Sequence, residues 1–540
     1  MSDSSDLIGG EWKPEIPDRH PSVLDPRILL PGLALGVLGV IIGAELITRV
    51  GITPNTSVIG AILAMGASRI PLGVLKQWRS VHSQNLMQTV ISGATFGGAN
   101  GLLLPIGVLW LFGRPELVPV MFIGAAIGLV VDMSVLYKLY DTPTFPGSAP
   151  WPPGVASAET IIAGDVGGKR ALTLLAGAVV GGIGSFFGIP FDIVGISWIG
   201  NFWALSMFSA GLLLAGYAPD LIGVDLQAIY MPHGMMIGAG LVALVQIIMV
   251  IRGKTKAFAE LEEGATFTAT PRDLRVGLTF GGLAFLGGAI VVAILGGLVA
   301  ELSVAQLVLF VVFAALAALV SELLVGLSAM HAGWFPAFAT ALIFLVVGMI
   351  LGFPPLALAF LVGYVSSTGP AFADMGYDLK AGYRLRGSGA FPEFEKQGRL
   401  NQYWAEILGF AVAGAFILIF YRNYFEADLF PPVARVFVTT IEAGTEGGVL
   451  QSLVLWAIPG AIIQFLGGAR RQMGVLLATG LLIAFPAAGW AAAGALAVRA
   501  IIMRQVGEKA KGPMYVLAGG FIAGSAIVSF GTGTLDVLRR

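Results

Sequence analysis

Residues 276–298 read VGLTFGGLAFLGGAIVVAILGGL, and residues 304–328 read VAQLVLFVVFAALAALVSELLVGLS. As helices rising 1.5 Å per residue, both are long enough to cross a hydrocarbon core of roughly 30 Å. Together they contain one ionisable side chain, Glu322. Such runs are read as membrane spans, because an unpaired charge in lipid costs several kcal/mol.

The same reading, in windows of roughly 19 residues, extends in both directions. Upstream runs lie at 28–50, 52–75, 86–112, 117–140, 171–190, 199–219 and 222–251. Downstream runs lie at 335–353, 355–371, 402–424, 447–467, 473–487, 488–503 and 513–532. The expected fold is an all-α polytopic membrane protein of about sixteen transmembrane helices, some of them Pro/Gly-broken or re-entrant. A polar N-terminal tail (1–27), one transmembrane domain (28–532) and a C-terminal tail (533–540) complete the division. An even number of spans puts both termini on one side.

Composition agrees. The 540 residues are 56% hydrophobic and 12% charged, about half the charged share of an average soluble protein, and mean hydropathy is +0.86. The 75 glycines are roughly twice the usual number and sit inside apolar runs, where small residues let helix backbones approach. A net charge of −1 gives no reason to expect a nucleic-acid partner, and the lack of cysteine excludes disulfides and thiolate metal sites. The first 27 residues do not look like a cleavable signal peptide. Basic clusters at Lys76 and Arg79, Arg252 to Lys256, Lys380 to Arg386, and Arg470 with Arg471 favour a cytoplasmic N terminus.

The chain also repeats itself. FPGSAPWPPGVASAETIIAGDVGGK (145–169) aligns without a gap to FPAAGWAAAGALAVRAIIMRQVGEK (485–509). The pairs include Phe145/Phe485, Pro146/Pro486, Gly154/Gly494, Gly167/Gly507 and Lys169/Lys509. Upstream, TVISGATFGG (89–98) resembles TTIEAGTEGG (439–448), so segments 89–186 and 439–530 read as related. Duplicated halves with interrupted helices are how many transporters build a central solute path. Pro146, Pro150, Pro152 and Pro153 exclude a plain spanning helix there. The first copy is expected to be an extended lead-in to a half-helix beginning near Val155, and 145–160, 439–448 and 485–499 are expected to line the path.

Ionisable groups within apolar runs are the candidates for chemistry. They are Glu45, Asp132, Glu159, Glu322, Glu442, Glu446 and Arg499, with snorkelling to the headgroups as the alternative for Glu45 and Asp132. Glu159 and Arg499 occupy equivalent repeat positions with opposite charge, so a Glu159–Arg499 pair across the path is expected. His233 and His331 also fall in apolar surroundings, as MPHGMM and AMHAGWFP. Either could titrate or touch a solute, or serve as a hydrogen-bonded structural group. No ligand spacing marks a metal site, and no cofactor is expected. GDVGGKR (164–170) lacks the Ser/Thr of a phosphate loop, and neither HExxH nor GxSxG occurs. The sequence therefore points away from an enzyme and from ATP-driven transport by this chain alone.

FADMGYDLKAGY (372–383) resembles the acidic signature of the oligopeptide transporter (OPT) superfamily at Asp374, Asp378, Leu379, Lys380, Gly382 and Tyr383, and departs from it at Ala373 and Tyr377. PPGVASAE (152–159), Gln88-Thr89 with its Gly-rich sequel, and VLAGGFIAGSAI (516–527) resemble three further elements of that superfamily, in the same order. Met231-Pro232-His233 and Met330-His331-Ala332 replace its Gly-Pro-Arg and Ser-Asn-Pro elements. The resemblance implies sixteen helices and symport, usually driven by protons. Its implied cargo is peptides or, in the yellow-stripe-like branch, metal chelates, and it is compatible with a homodimer. Asp374 and Asp378 stand one helical turn apart and would share a face, with Lys380 supplying an opposing charge; the alternative is an acidic helix end entering a polar loop at Lys380. The sequence thus reads as an ion-coupled transporter of a prokaryotic cytoplasmic membrane, with a passive solute channel as the rival.

Overall fold

The computed structural model describes residues 12–49, 56–68, 78–251, 267–333, 335–444, 448–483 and 485–539. Among these the architecture is all-α, with no strand and one isolated bridge between Tyr140 and Phe145. Ten helical stretches are long and apolar enough to cross a membrane. Four further apolar helices, Thr56–Ser68, Met231–Ala243, Ala337–Ile350 and Met473–Ile483, are shorter. The expectation of about sixteen spans therefore resolves into ten long and four short apolar helices among the described residues.

Glycine and proline interrupt several of the elements. The run expected at 355–371 is the first half of a broken element: helix Pro355–Ser366, a turn, then helix Pro370–Leu385. Gly369 sits in the turn at φ 93°, where a side chain would be strained, and Pro370 lacks an N–H. The Asp132 carboxylate accepts the backbone N–H groups of Gly369 and Phe372 at 2.8 Å each. A membrane helix can break only where protein satisfies the freed backbone in this way. A second interruption is the π-helical stretch Gly97–Leu103, which continues helix Val81–Phe96 into Leu104–Leu111.

Burial separates centre from periphery. The apolar window of Pro355–Leu385 is 100% buried and that of Gln451–Gly468 only 17%, so the first lies at the core and the second turns Leu455, Phe465 and Leu466 outward. Glycines close several helix pairs. A Cβ on Gly177, Gly520 or Gly524 would collide with backbone between Gly168–Phe186 and Lys511–Arg539, and Gly234, Gly238 and Gly460 do the same between Met231–Ile251 and Val449–Arg471.

Three expected boundaries change. Residues 12–25 are a docked segment, not a free polar tail: the His20 N–H donates to Gln397 Oε1 at 3.2 Å and that of Val23 to Asn401 Oδ1 at 3.1 Å. The last helix runs from Lys511 through Arg539, so the C-terminal tail is helical. The polar stretch expected between Lys380 and Asn401 is mostly helix, interrupted by a turn before Pro392–Glu426; Arg386 and Glu395 within it are buried as a pair, Nε and Nη2 reaching the carboxylate at 2.7 and 2.9 Å.

Candidate functional site

Helix Val81–Phe96 is buried at every position yet carries Gln84, Asn85, Gln88, Thr89 and Ser92. A polar helix persists in the core of a membrane protein only when its groups have work or partners. Across from it, Pro370–Leu385 presents Asp374 and Asp378, Pro392–Glu426 presents Glu406, and Thr56–Ser68 presents Thr56 and Ser57. The three carboxylates are buried, and one oxygen of each lies within 4.8 Å of the others.

The hydroxyl shell is asymmetric. Asp374 Oδ1 accepts from Thr56 at 3.0 Å and Ser92 at 2.8 Å. Asp378 Oδ1 accepts from Ser57 at 2.5 Å and from the Gln88 amide. The Oδ2 atoms of both aspartates and both Glu406 oxygens have no hydrogen-bond partner among the described residues. Gly93 makes room for the third acid: a Cβ there would meet the Glu406 carboxyl carbon at 3.0 Å. Gln402 braces the group from behind, donating to the Asp378 carbonyl at 2.6 Å while its own oxygen accepts from Arg386 at 2.8 Å. Three carboxylates so close cannot all stay charged without a compensating cation or protons. Their oxygens and the hydroxyls form a hard donor set of the kind that suits protons or oxygen-preferring cations.

Lys380 does not supply the compensation. Its Nζ donates to the Gly147 carbonyl at 2.8 Å and lies 5.4 Å from the centre of the Tyr383 ring. Lys380 and Arg384 project roughly 100° or more away from the Asp374–Asp378 face of the same helix. The segment Lys380 meets, 140–151, is a buried loop held by two residues with left-handed backbone, Asp141 (φ 62°) and Trp151 (φ 39°). Such strain persists only where the surroundings over-determine it. Asp141 accepts from the N–H of Gly147 and of Thr268, while the Trp151 N–H donates to the Met330 carbonyl at 2.9 Å. The Trp151 ring fills the space a Cβ on Gly376 would need. The half-helix expected near Val155 begins at Pro152, because proline suits the first helical positions.

A cavity of about 510 Å³ opens beside this loop, lined by Asp141, Ser148, Lys380, Tyr383, Arg384 and Tyr515 among others. Arg384 is anchored at its wall: Nη2 donates to Glu159 Oε1 at 2.5 Å, and Arg170 takes the other Glu159 oxygen at 2.5 Å. Glu159 and Arg499 therefore do not pair. Arg499 donates instead to the carbonyls of Ser197 and Gly200 at 2.9 and 2.6 Å, because Glu159 has two nearer guanidinium groups.

The remaining candidates fall partly beside these places and partly away from them. Phe145, Pro146 and Gly154 are buried beside the acidic helix, where a Cβ on Gly154 would strike the Tyr377 carbonyl. Phe485 is 45% exposed, Pro486 starts an unbroken helix, and a Cβ on Gly494 would meet open space. Glu442 is exposed at the end of Pro432–Ala443, and Glu446 lies outside the described residues. His233 and His331 are buried, each with an Nδ1 lacking a partner among the described residues; neither belongs to the acid group. Sequence reading missed Glu406, which stands in a polar–apolar mixture, YWAEILGF (403–410), typical of a span beginning. It also left Asp132 and Glu322 unconnected, although they face each other in the core at the helix break.

A helical membrane protein whose broken helices enclose buried ionisable groups beside a solute-sized cavity is, by class, a transporter. Residues 23–251 and 228–534 match the family model described as OPT oligopeptide transporter protein, and the chain belongs to that family. It is thus a multi-pass transporter, not an enzyme. No curated protein matches the chain.

Proposed function

We propose that the chain is a secondary active transporter of the cytoplasmic membrane that couples uptake of oligopeptides to an inward flow of protons. The observation that carries the reading is the buried Asp374–Asp378–Glu406 group, four of whose oxygens have no donor other than the group itself among the described residues. A passive channel for peptides or chelates, the rival, has no coupling ion to bind at such a group, whereas a coupled carrier needs a site whose charge is neutralised in one half of its cycle. The break at Gly369–Pro370 gives the helix bearing two of these acids a place to hinge.

The duplicated-halves reading has support of its own. Gly167 and Gly507, equivalent by sequence, both close their helices with φ near 70° and ψ near −150° (68°/−150° and 72°/−156°). The helices that follow pack in parallel, with Gly177 against Leu517 and Gly181 against Phe521, pairs separated by the repeat offset itself. That is the pattern of a local two-fold axis running along the helices.

Proteoliposome uptake tests the function. Labelled tri- and tetrapeptides and, in parallel, labelled iron–chelate complexes are offered with and without an inward proton gradient. Gradient-dependent accumulation of peptide supports the proposal, and accumulation of chelate alone replaces the cargo. Uptake that only equilibrates moves the assignment to a channel. Accumulation driven by sodium and not by protons keeps the acid group and changes its ion. The family reading adds a homodimer, which the mass of the detergent-solubilised protein tests.

A further inference from the structure

We infer that the cavity beside Lys380 is the docking site for the carboxylate of the transported solute, with Lys380 and Arg384 as its anion-binding groups. The inference rests on the transport reading for the solute's identity and adds where its charged end is held.

Three observations carry it. The cavity, about 510 Å³, falls within the roughly 300–1,000 Å³ typical of small-molecule sites. Its wall carries two cations and one acid, and that acid is already occupied: Asp141 takes the Gly147 N–H on one oxygen and the Thr268 N–H and hydroxyl on the other. Glu159, behind Arg384, is shared with Arg170, so it does not cancel Arg384 alone. The wall is left with a positive excess.

Donors are also available. An ammonium has three N–H groups, and among the described residues Lys380 has a single acceptor, the Gly147 carbonyl. The Arg384 side chain is 25% exposed and commits Nη2 to Glu159. A carboxylate reaching both would gain charge-assisted hydrogen bonds, the strong kind. Tyr383 and Tyr515 lie beside them and offer aromatic surface to the rest of a peptide. Substrate anion and coupling cation would then sit on two faces of one helix, Pro370–Leu385, within about two turns of each other.

The test compares labelled trialanine with its C-terminal amide on the full chain in nanodiscs, by equilibrium binding, and in proteoliposomes, by uptake. The free acid is expected to bind at least ~10-fold tighter than the amide, the scale of one charge-assisted contact. K380M should reduce that preference to within ~3-fold, while K380R, which keeps the charge, should retain most of it. Thermal stability of each variant separates lost docking from lost fold, and where K380M does not fold, loss of the preference in R384Q serves as the second readout. Equal binding of acid and amide, or a preference unchanged in K380M, overturns the inference, as does no binding of either. If acid is preferred in binding yet no gradient drives uptake, the docking site stands and the coupled-transport reading falls.

Discussion

Replacing Glu406 with Gln removes one of three acids whose oxygens lie within 4.8 Å of one another. At that separation and an effective dielectric constant of about 20, each pair of ionised carboxylates repels by roughly 3.5 kcal/mol. Three charges would therefore cost roughly 10 kcal/mol, comparable with the whole stability of a small domain. The charge must be carried down by protons or a cation, and on the proposed reading that obligation would couple the group to a gradient. E406Q keeps the shape and deletes two of the three repulsions. The variant is expected to fold with unchanged or higher thermal stability, to exchange labelled for unlabelled solute across vesicles, and to lose accumulation against a gradient. The assay is uptake into proteoliposomes with an imposed proton gradient, paired with solute counterflow without one. Wild-type accumulation by a folded E406Q protein would refute the reasoning, because the third acid would then carry no part of the coupling.

Asp132 satisfies the N–H groups freed by the break at Gly369, so D132A should cost about 1–2 kcal/mol, as loss of a helix cap does, read as a lower unfolding midpoint. E159Q strands Arg170 and Arg384; it should destabilise by about 3 kcal/mol, the low end for a broken buried pair because Arg384 is a quarter exposed, with part recovered in E159Q/R170Q. The charge swap E159R/R499E should be no more active than either single reversal, since the two residues do not meet; a rescued double would contradict the geometry. His20, in the docked N-terminal segment, has its pKa lowered to about 2 by burial and then by the charges of Arg386 and His82. The folded form binds this proton less readily than the unfolded chain, so stability is fully present above about pH 6.5 and declines as pH falls toward 2. At pH 5 the loss from His20 is roughly 2 kcal/mol, seen as faster proteolysis of residues 12–25 and reduced in H20L, which leaves His82 in place against the same segment.

Legibility in the sequence followed the kind of signal. Membrane class was written in composition and in runs such as 304–328, because lipid imposes hydropathy on every exposed turn. The Pro-rich segment 146–153 announced a non-helical lead-in, since four prolines forbid a regular helix whatever surrounds them; where the helix starts, at Pro152, was off by three residues. The acidic pair Asp374 and Asp378 was visible because a helical turn is local. Glu406 was not: it comes from another helix, far along the chain from Gly93, whose missing side chain admits the carboxyl. The Glu159–Arg499 expectation failed for the complementary reason. Equivalence in a repeat says that two residues occupy similar frames, not that they face each other, and Arg170, eleven residues on, was the nearer partner.

The same distinction bears on how the acidic helix could work. Asp374 and Asp378 are tied to Thr56, Ser57, Gln88 and Ser92, while Lys380 and Arg384, two turns along, are tied to Gly147 and Glu159. The first set of partners belongs to the helices Thr56–Ser68 and Val81–Phe96, the second to the loop and half-helix after Leu139. Pro370–Leu385 is thus stitched on one face to one group of elements and on the other to a second, with a glycine break at its head. Neutralising the acids would loosen the first set of bonds, whose donors favour the charged form, and leave the second intact. A cation and a solute acting on opposite faces of one hinged helix need no contact with each other to be coupled; each has only to prefer the same position of that helix.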